Sequence, residues 1–453
     1  MTIPLLTDKA DLATALDILD KWVAHQVEQR HQPGLAIGVV YDGALLWGAG
    51  YGFADMETGA PVTLDTRFRI ASITKTFTAT ATLQLRDAGA LSLDDPVSRH
   101  LDWFDLRYRD APAVTIRNLL THTAGLPRDS VNPMWTECEA PSWAAFVADT
   151  QARKATRPPY EKFAYSNLGY SLLGGIIAAA SGQPWADYLQ RHVLDPLGMS
   201  ETRPLPSADD PLLATGYTRE KAGYQRAVLP FWLMNGFEAS ANFASSVNDL
   251  VKYAGFHLGG SGHDVLSPYT LTDMHRVHWL DDGWKSGYGL GMGLYRIKDW
   301  VISGHGGGYP GYLTDFTICR AHKTGVIVLT NSLGSDPHSY VKEAYKIVLP
   351  EIIKATAEAP PEARPEWKQY LGEYESDWAR GKVIIRGGKL QVINLDAIDA
   401  PAVTLVPTEE EGVFTLCEAG QSNETLRFEL DAEGNVARMW ERGEYSIPVG
   451  KGR

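Results

Sequence analysis

Ser72-Ile73-Thr74-Lys75 decides how this chain is read. Phe68-Arg69-Ile70-Ala71 forms a short approach, helix-compatible residues run from Ser72 to about Ala88, and Gly89 supplies a C-terminal stop. Residues three apart share a helix face, so the Lys75 amine reaches the Ser72 hydroxyl. Serine alone is a weak nucleophile near neutral pH and needs a neighbour to take its proton. A helix N-terminus adds free N–H groups and partial positive charge where an oxyanion would form. Spacing by itself is weak evidence, because Ser-x-x-Lys turns up roughly once by chance in a chain of this length. Ser339-Tyr340-Val341-Lys342 repeats it after a Gly-Ser-Asp-Pro turn, with nothing nearby to complete a site.

Two other stretches supply partners for Ser72. Tyr165-Ser166-Asn167 is the single Tyr-x-Asn of the chain and precedes an apolar helical segment at 168–181. A phenol beside a lysine should lose its proton more readily, since a nearby cation favours the charged form. Tyr165 could then act as base toward Ser72 and later as acid toward the leaving group. Asn167 could hydrogen-bond Lys75 or a substrate amide. Taken singly, the two residues read more readily as an interfacial aromatic and a helix cap.

The third stretch is Gly304-His305-Gly306-Gly307-Gly308-Tyr309-Pro310-Gly311-Tyr312, read as the connection from the end of one strand into the next. Such glycine density lets a ligand approach the backbone and exposes N–H groups. His305 is expected at the strand edge, facing the pocket, with Gly307 and Gly308 as substrate-binding or oxyanion positions. His305 to Gly308 also matches the oxyanion loop of some α/β-hydrolase lipases. That reading requires a Gly-x-Ser-x-Gly elbow downstream, and the chain has none.

The 453 residues allow two or three domains, and 13 Trp with 20 Tyr can fill a large core. A net charge of −13 without any Lys/Arg run argues against nucleic acid and anionic membranes as partners. No apolar run reaches the ~18 residues of a membrane span, and Met1–Lys9 lacks the basic and apolar regions of a leader. Cys138, Cys319 and Cys417 make no disulfide framework. The expectation is a soluble cytoplasmic protein, although a chain already stripped of a leader would read the same.

Residues 11–30 read as an amphipathic helix with Leu12, Leu16, Leu19, Trp22 and Val23 on one stripe. Leu35–Tyr41 and Ala44–Gly50 flank Asp42-Gly43, a strong hairpin signal. Helices and Pro/Gly-rich loops fill 91–290. Strands return at Trp300–Ser303, Tyr312–Cys319 and Val326–Leu329, and a helix follows at about 338–355. The predicted class is α+β: an antiparallel sheet flanked by terminal helices, an inserted mainly helical region, then a small all-β barrel. Domain boundaries are expected at 1–355, with a Pro-rich linker at 356–365 and the barrel at 366–453. His275-Arg276-Val277-His278 lacks a third ligand with metal spacing and reads as a helix-surface pair. His122 reads as a structural hydrogen-bonder.

Ser-x-x-Lys, Tyr-x-Asn and His-x-Gly in this order resemble the serine β-lactamase and penicillin-recognising superfamily. The resemblance is nearest the class C branch with its D-aminopeptidases, DD-carboxypeptidases and esterases, and spans about residues 12–350. Leu119–Pro127, Asp195-Pro196-Leu197-Gly198-Met199 and Tyr288-Gly289-Leu290-Gly291 look like auxiliary stretches of the same family. It implies Ser72 as acylated nucleophile, Lys75 and Tyr165 as the proton-shuttling pair, Asn167 as lysine and substrate contact, and His305 opening the third motif. The implied oxyanion donors are the Ser72 and Gly308 N–H groups. No metal and no cofactor are implied. The partner would be a small-molecule or peptide substrate, and a homo-oligomer is compatible with the family.

The third motif departs from the pattern, since class C enzymes usually carry Lys-Thr-Gly there. A literal Lys323-Thr324-Gly325 reads as the turn at the far end of a strand that spans ~25 Å, and so well away from Ser72. Histidine at this position is more typical of the peptidases and some esterases. The leading expectation is therefore a peptide or amide hydrolase of D-aminopeptidase or carboxypeptidase type. The alternative is a carboxylesterase with weak or no β-lactamase activity. A non-catalytic scaffold is the third reading, disfavoured because it has no need of Ser72, Lys75 and Tyr165 together. The C-terminal segment resembles lipocalin-like appendages, with a role at the cleft, in oligomer contacts, or in solubility alone.

Overall fold

The computed structural model describes residues 6–222, 225–262, 264–357, 364–397, 400–417 and 424–450. The chain forms two compact units, Met1–Thr356 and Ala357–Arg453. Most of the expected linker, at 358–363, lies outside the described residues.

Helix α1 (Ala10–Gln29) buries Leu12, Leu16, Leu19, Val23 and Val27 along one stripe, as the period of 3.6 requires. Strands β1 (Gly34–Tyr41) and β2 (Ala44–Asp55) form the expected hairpin, with Asp42 and Gly43 at φ 47° and 83°. Beyond them come β3 (Ala60–Pro61) and β4 (Phe68–Arg69), the latter pairing with β5 (Ala244–Ser245). The late strands are β6 (Trp279–Leu280), β7 (Ser286–Tyr288), β8 (Gly293–Ile297), β9 (Trp300–Tyr309), β10 (Tyr312–Cys319) and β11 (Thr324–Thr330).

Among the described residues the sheet has nine strands in the order β3-β2-β1-β11-β10-β9-β8-β7-β6. The antiparallel pairing of β1 with β11 joins the two ends of the unit. Side chains alternate across that pair. Leu35, Ile37, Val39, Val326 and Val328 face α1 and the last helix of the unit, while Ala36, Val40, Ile327 and Leu329 enter the core of the helical region.

The helical region runs between β4 and β6. It holds α2 (Thr74–Asp87), α3 (Ile116–Leu120), α4 (Met134–Glu137), α5 (Trp143–Gln151), α6 (Asn167–Ser181), α7 (Trp185–Leu189), α8 (Glu238–Ala241), α9 (Val247–His257) and α10 (Pro268–His275). Helix α11 (Pro337–Thr356) returns over the sheet. No helix among the described residues is long and apolar enough to cross a membrane.

The second unit is a closed antiparallel barrel whose described strands lie between Gly372 and Pro448. Its interior is filled by Trp367, Tyr370, Tyr374, Leu390, Phe414 and Phe428, among others.

Three local expectations are corrected. The glycine run is strand, not connection: β9 continues through Gly304–Tyr309, and only Pro310-Gly311 turns into β10. Pairing with β10 supplies the order that glycine composition argues against. The glycines leave β9 narrow enough for the neighbouring backbone to close on it. Residue His275 is buried, with Nδ1 2.7 Å from Ser303 Oγ and Nε2 2.9 Å from His257 Nδ1, so it belongs to a core polar chain rather than the surface. Tyr165, expected to have an eased phenol, is pushed the other way, as described below. Lys323 lies where expected, at the far turn, paired with Asp42 at 2.9 Å.

Candidate active site

Residue Ser72 stands in a single 3-10 turn, Ala71–Ile73, that runs into α2. The residue before it, Ala71, is buried and has φ 49°, a left-handed conformation that costs an alanine on the order of 1 kcal/mol. This bend places Ser72 at the start of the helix with its side chain in a cavity of about 740 Å³.

One turn on, Lys75 is fully buried at 0% exposure. Its Nζ lies 3.1 Å from Ser72 Oγ, 2.7 Å from Asn167 Oδ1 and 2.7 Å from the Ser240 carbonyl oxygen. Burial holds this amine well below its ordinary range; Asp129 opposes the shift and Arg128 adds to it. A neutral amine has two N–H donors and one lone pair. In that neutral form Asn167 and the Ser240 carbonyl would accept the two protons, leaving the lone pair to receive the Ser72 O–H.

Tyr165 and Asn167 are carried by a loop zipped onto the turn after α3. Ala164 N–H donates to the His122 carbonyl (2.7 Å), Ser166 N–H to His122 Nδ1 (3.1 Å), and Ser166 Oγ to the Pro127 carbonyl (2.7 Å). Ser166 then caps α6 by accepting from Gly169 N–H at 2.9 Å. The Asn167 amide is fixed by donation from Nδ2 to Asp129 Oδ1 at 2.6 Å, which forces its oxygen toward Lys75.

The Tyr165 phenol faces Ser72, and the Lys75 amine lies 4.9 Å from its ring centre. Burial pushes this phenol above its ordinary range, against the hydrogen bond to Ser72 and the field of Arg128. The cation acting on this phenol is Arg128, and burial outweighs it. Tyr165 therefore stands as a neutral donor in the resting site.

Residue His305 lies on the open edge of β9. Strand β8 pairs with β9 only as far as Gly304, so residues 305–309 have no neighbour on that side. Its ring centre is 6.0 Å from that of Tyr165 and 6.3 Å from that of Tyr288. Nδ1 lies 2.6 Å from the Gly306 carbonyl and so carries the proton, which leaves Nε2 buried as an acceptor without a protein partner. Burial above all lowers its pKa to about 3.

Gly307 and Gly308 divide the work expected of them. Tyr309 and Tyr312 close the hairpin, so pairs alternate back along it. The Gly307 N–H turns to β10 and the Gly308 N–H to the open edge. Gly307 instead permits contact: a methyl there would overlap the Ile70 carbonyl oxygen and Thr314 Oγ1 and crowd Ala71. Thr314 Oγ1 donates to that same Ile70 carbonyl at 3.1 Å, tying β10 to the turn that presents Ser72.

All seven residues expected at the site thus come together around one cavity, with Lys75 beneath its floor. The Ser339 to Lys342 decoy lies on α11 and contributes nothing to it. Sequence reading missed Arg128, Asp129 and the Ser240 carbonyl. The first two follow the Leu119–Pro127 stretch directly. A backbone carbonyl leaves no side-chain signal. His122 is structural as expected, yet it also packs on Tyr165 at 4.3 Å between ring centres.

Residues 19–349 match the Beta-lactamase family model. A curated relative from Dictyostelium discoideum, Beta-lactamase-like protein 2, is 29% identical over 69% of this chain and 58% of its own length. Protein flp of Staphylococcus aureus (strain MW2) is 32% identical over 41% of this chain and 37% of its own. The chain therefore spans less than two thirds of the length of these relatives. Among solved structures, the octameric penicillin-binding protein homologue from Pyrococcus abyssi superimposes with TM-score 0.66 and 26% identity, over 95% of this chain and 99% of that one. SurE with D-Leu gives TM-score 0.58 and 25% identity over 96% of this chain and 100% of that one. The class C β-lactamase from Rhodobacter sphaeroides shares the fold at TM-score 0.62, with 22% identity over 75% of this chain and 99% of its own. With most of its length matched and the serine, lysine, tyrosine and histidine gathered at one cavity, the chain belongs to the beta-lactamase family.

Proposed function

We propose that this protein is an acyl-serine hydrolase of peptide or amide bonds, acting through Ser72 and preferring substrates with a free amine near the scissile bond. The buried Lys75 amine, 3.1 Å from Ser72 Oγ and 2.7 Å from both Asn167 Oδ1 and the Ser240 carbonyl oxygen, carries the reading. In acylation the Ser72 proton passes to Lys75 Nζ as Oγ bonds to the carbonyl carbon. The oxyanion is received by the Ser72 and Gly308 N–H groups; one such donor is worth ~10²–10³ in rate. The C–N bond then breaks as the neutral Tyr165 phenol donates to the departing nitrogen and is reprotonated from Lys75. Water attacks the acyl-enzyme, its proton returns through the same pair, and Ser72 leaves with its hydrogen restored.

Charge favours the aminopeptidase side of the expectation. The cavity is lined by the carboxylates Asp129, Asp315 and Asp336. Its basic side chains are Arg128, already 3.4 Å from Asp129, and His338, whose pKa the hydrogen bond to Asp315 raises. Residue His305, where class C enzymes usually carry lysine, stays neutral. Such a lining suits an ammonium better than a terminal carboxylate. That SurE is described with D-Leu supports an amino-acid acyl group, and the octameric homologue supports a homo-oligomer.

The test is a substrate panel of D- and L-amino-acid p-nitroanilides, their N-acetylated forms, peptides with free C-termini and p-nitrophenyl esters. Faster turnover of anilides with a free amine is expected. Turnover confined to esters would replace this reading with the carboxylesterase.

A further inference from the structure

A second cavity of about 310 Å³ lies away from Ser72, between α5, α6, α7 and α8. Its walls include the indoles of Trp103, Trp143 and Trp185, with Glu238 at the start of α8 as its one acidic side chain. Trp103 and Trp143 stand at 80° with ring centres 6.3 Å apart, two walls of a box. Gly175 of α6 makes room for the third side, since a methyl there would press on the six-membered ring of Trp143 at 2.7 Å.

Among the described residues the Glu238 side chain has no hydrogen-bond or ion-pair partner and no cation offsets it, and burial alone raises its carboxyl to about 7. Two further polar side chains of the wall are turned elsewhere: Ser171 Oγ donates to the Asn167 carbonyl (3.0 Å) and Trp185 Nε1 to Thr78 Oγ1 (3.1 Å). The cavity therefore presents aromatic surface, one unneutralised carboxylate and few acceptors for N–H groups. An ion with positive charge, apolar surface and no N–H to satisfy matches each of these properties.

We propose that this cavity is a second binding site, taking a small quaternary ammonium ion against Glu238 and the tryptophans. It is tied to the catalytic helix. Thr78 of α2 accepts from Trp185 and donates to the Ala239 carbonyl at 2.7 Å, and the next carbonyl of α8, Ser240, holds Lys75.

Titration calorimetry on the full chain with choline, beside its uncharged carbon isostere 3,3-dimethylbutan-1-ol, tests the assignment without reference to catalysis. Choline should bind about tenfold or more tightly than the isostere, and tighter at pH 8 than at pH 6, because the cation favours the ionised carboxyl. Glu238→Gln should lose both the preference and the pH dependence while retaining its melting temperature within a few degrees. Trp143→Leu, at the cavity mouth, should weaken choline several-fold. Equal binding of choline and isostere, no binding of choline at millimolar concentration, or undiminished binding to Glu238→Gln would overturn the proposal.

Discussion

The Asn167 side-chain oxygen and the Lys75 amine are 2.7 Å apart, and the other end of that amide is held by Asp129 at 2.6 Å. The asparagine thus cannot flip to present its NH₂ to the lysine. Asn167→Ala leaves one amine N–H buried without its acceptor and frees the lone pair from Ser72. We expect kcat/KM to fall about tenfold or more, with ~1–3 kcal/mol of lost stability. Steady-state kinetics and denaturant melts of the same variant check both effects.

The charges beside Lys75 set where activity fails in acid. Lys75 accepts a proton only when neutral, so the rate should be lost as pH falls through its pKa, which burial has moved far below 10.5. Asp129 raises that pKa and Arg128 lowers it. In kcat/KM profiles, Asp129→Asn should therefore move the acid limb to lower pH and Arg128→Gln to higher pH. Shifts in the same direction would remove Lys75 as the titrating base.

Gly307 is where β9 meets the turn that presents Ser72. In Gly307→Ala the added methyl must displace the Ile70 carbonyl or Thr314. Overpacking of this kind costs ~1–3 kcal/mol, and a displaced Ser72 loses on the order of 10² in rate. Gly308→Ala meets only the Leu313 side chain at 3.5 Å and should be milder in both assays.

Stability should also fall in acid, for a separate reason. His122, His257 and His275 are buried and His305 is half-buried, all with pKa values below the ordinary 6.5, the last two at about 3. Above pH 6.5 both folded and unfolded chains hold these rings neutral. Between 6.5 and 3 the unfolded chain takes up protons that the folded chain does not, so stability drops as pH drops. Each ring contributes up to ~1.4 kcal/mol per pH unit. Melts from pH 7 to pH 4.5 should show a steep decline, shallower in His275→Gln once its own loss is subtracted. A flat profile over that range would mean these rings already hold protons in the fold.

Much of the site was legible because its chemistry is carried by side chains in short, local patterns. Ser72 and Lys75 share one helix turn, and Tyr165 and Asn167 straddle one N-cap. The hairpin at Asp42-Gly43 was legible for the same reason. What escaped depends on chain segments meeting in space. Asp129 orients Asn167 only because 164–168 is laid along 122–128, and the Ser240 carbonyl reaches Lys75 from a helix 165 residues away. The strand through Gly304–Gly308 reads as a turn by composition, and only pairing with β10 makes it a strand. The direction of the Tyr165 shift escaped because burial, which no local sequence pattern records, outweighs the neighbouring cation.

The central claim, that a neutral Lys75 activates Ser72, is tested most directly by the rate and position of fluorophosphonate labelling, read by intact mass and peptide mapping. One adduct should form, on Ser72; it should be absent in Ser72→Ala and slowed ~10²–10⁴-fold in a folded Lys75→Met. An adduct on any other residue, or labelling of Lys75→Met at the parent rate, would contradict the account.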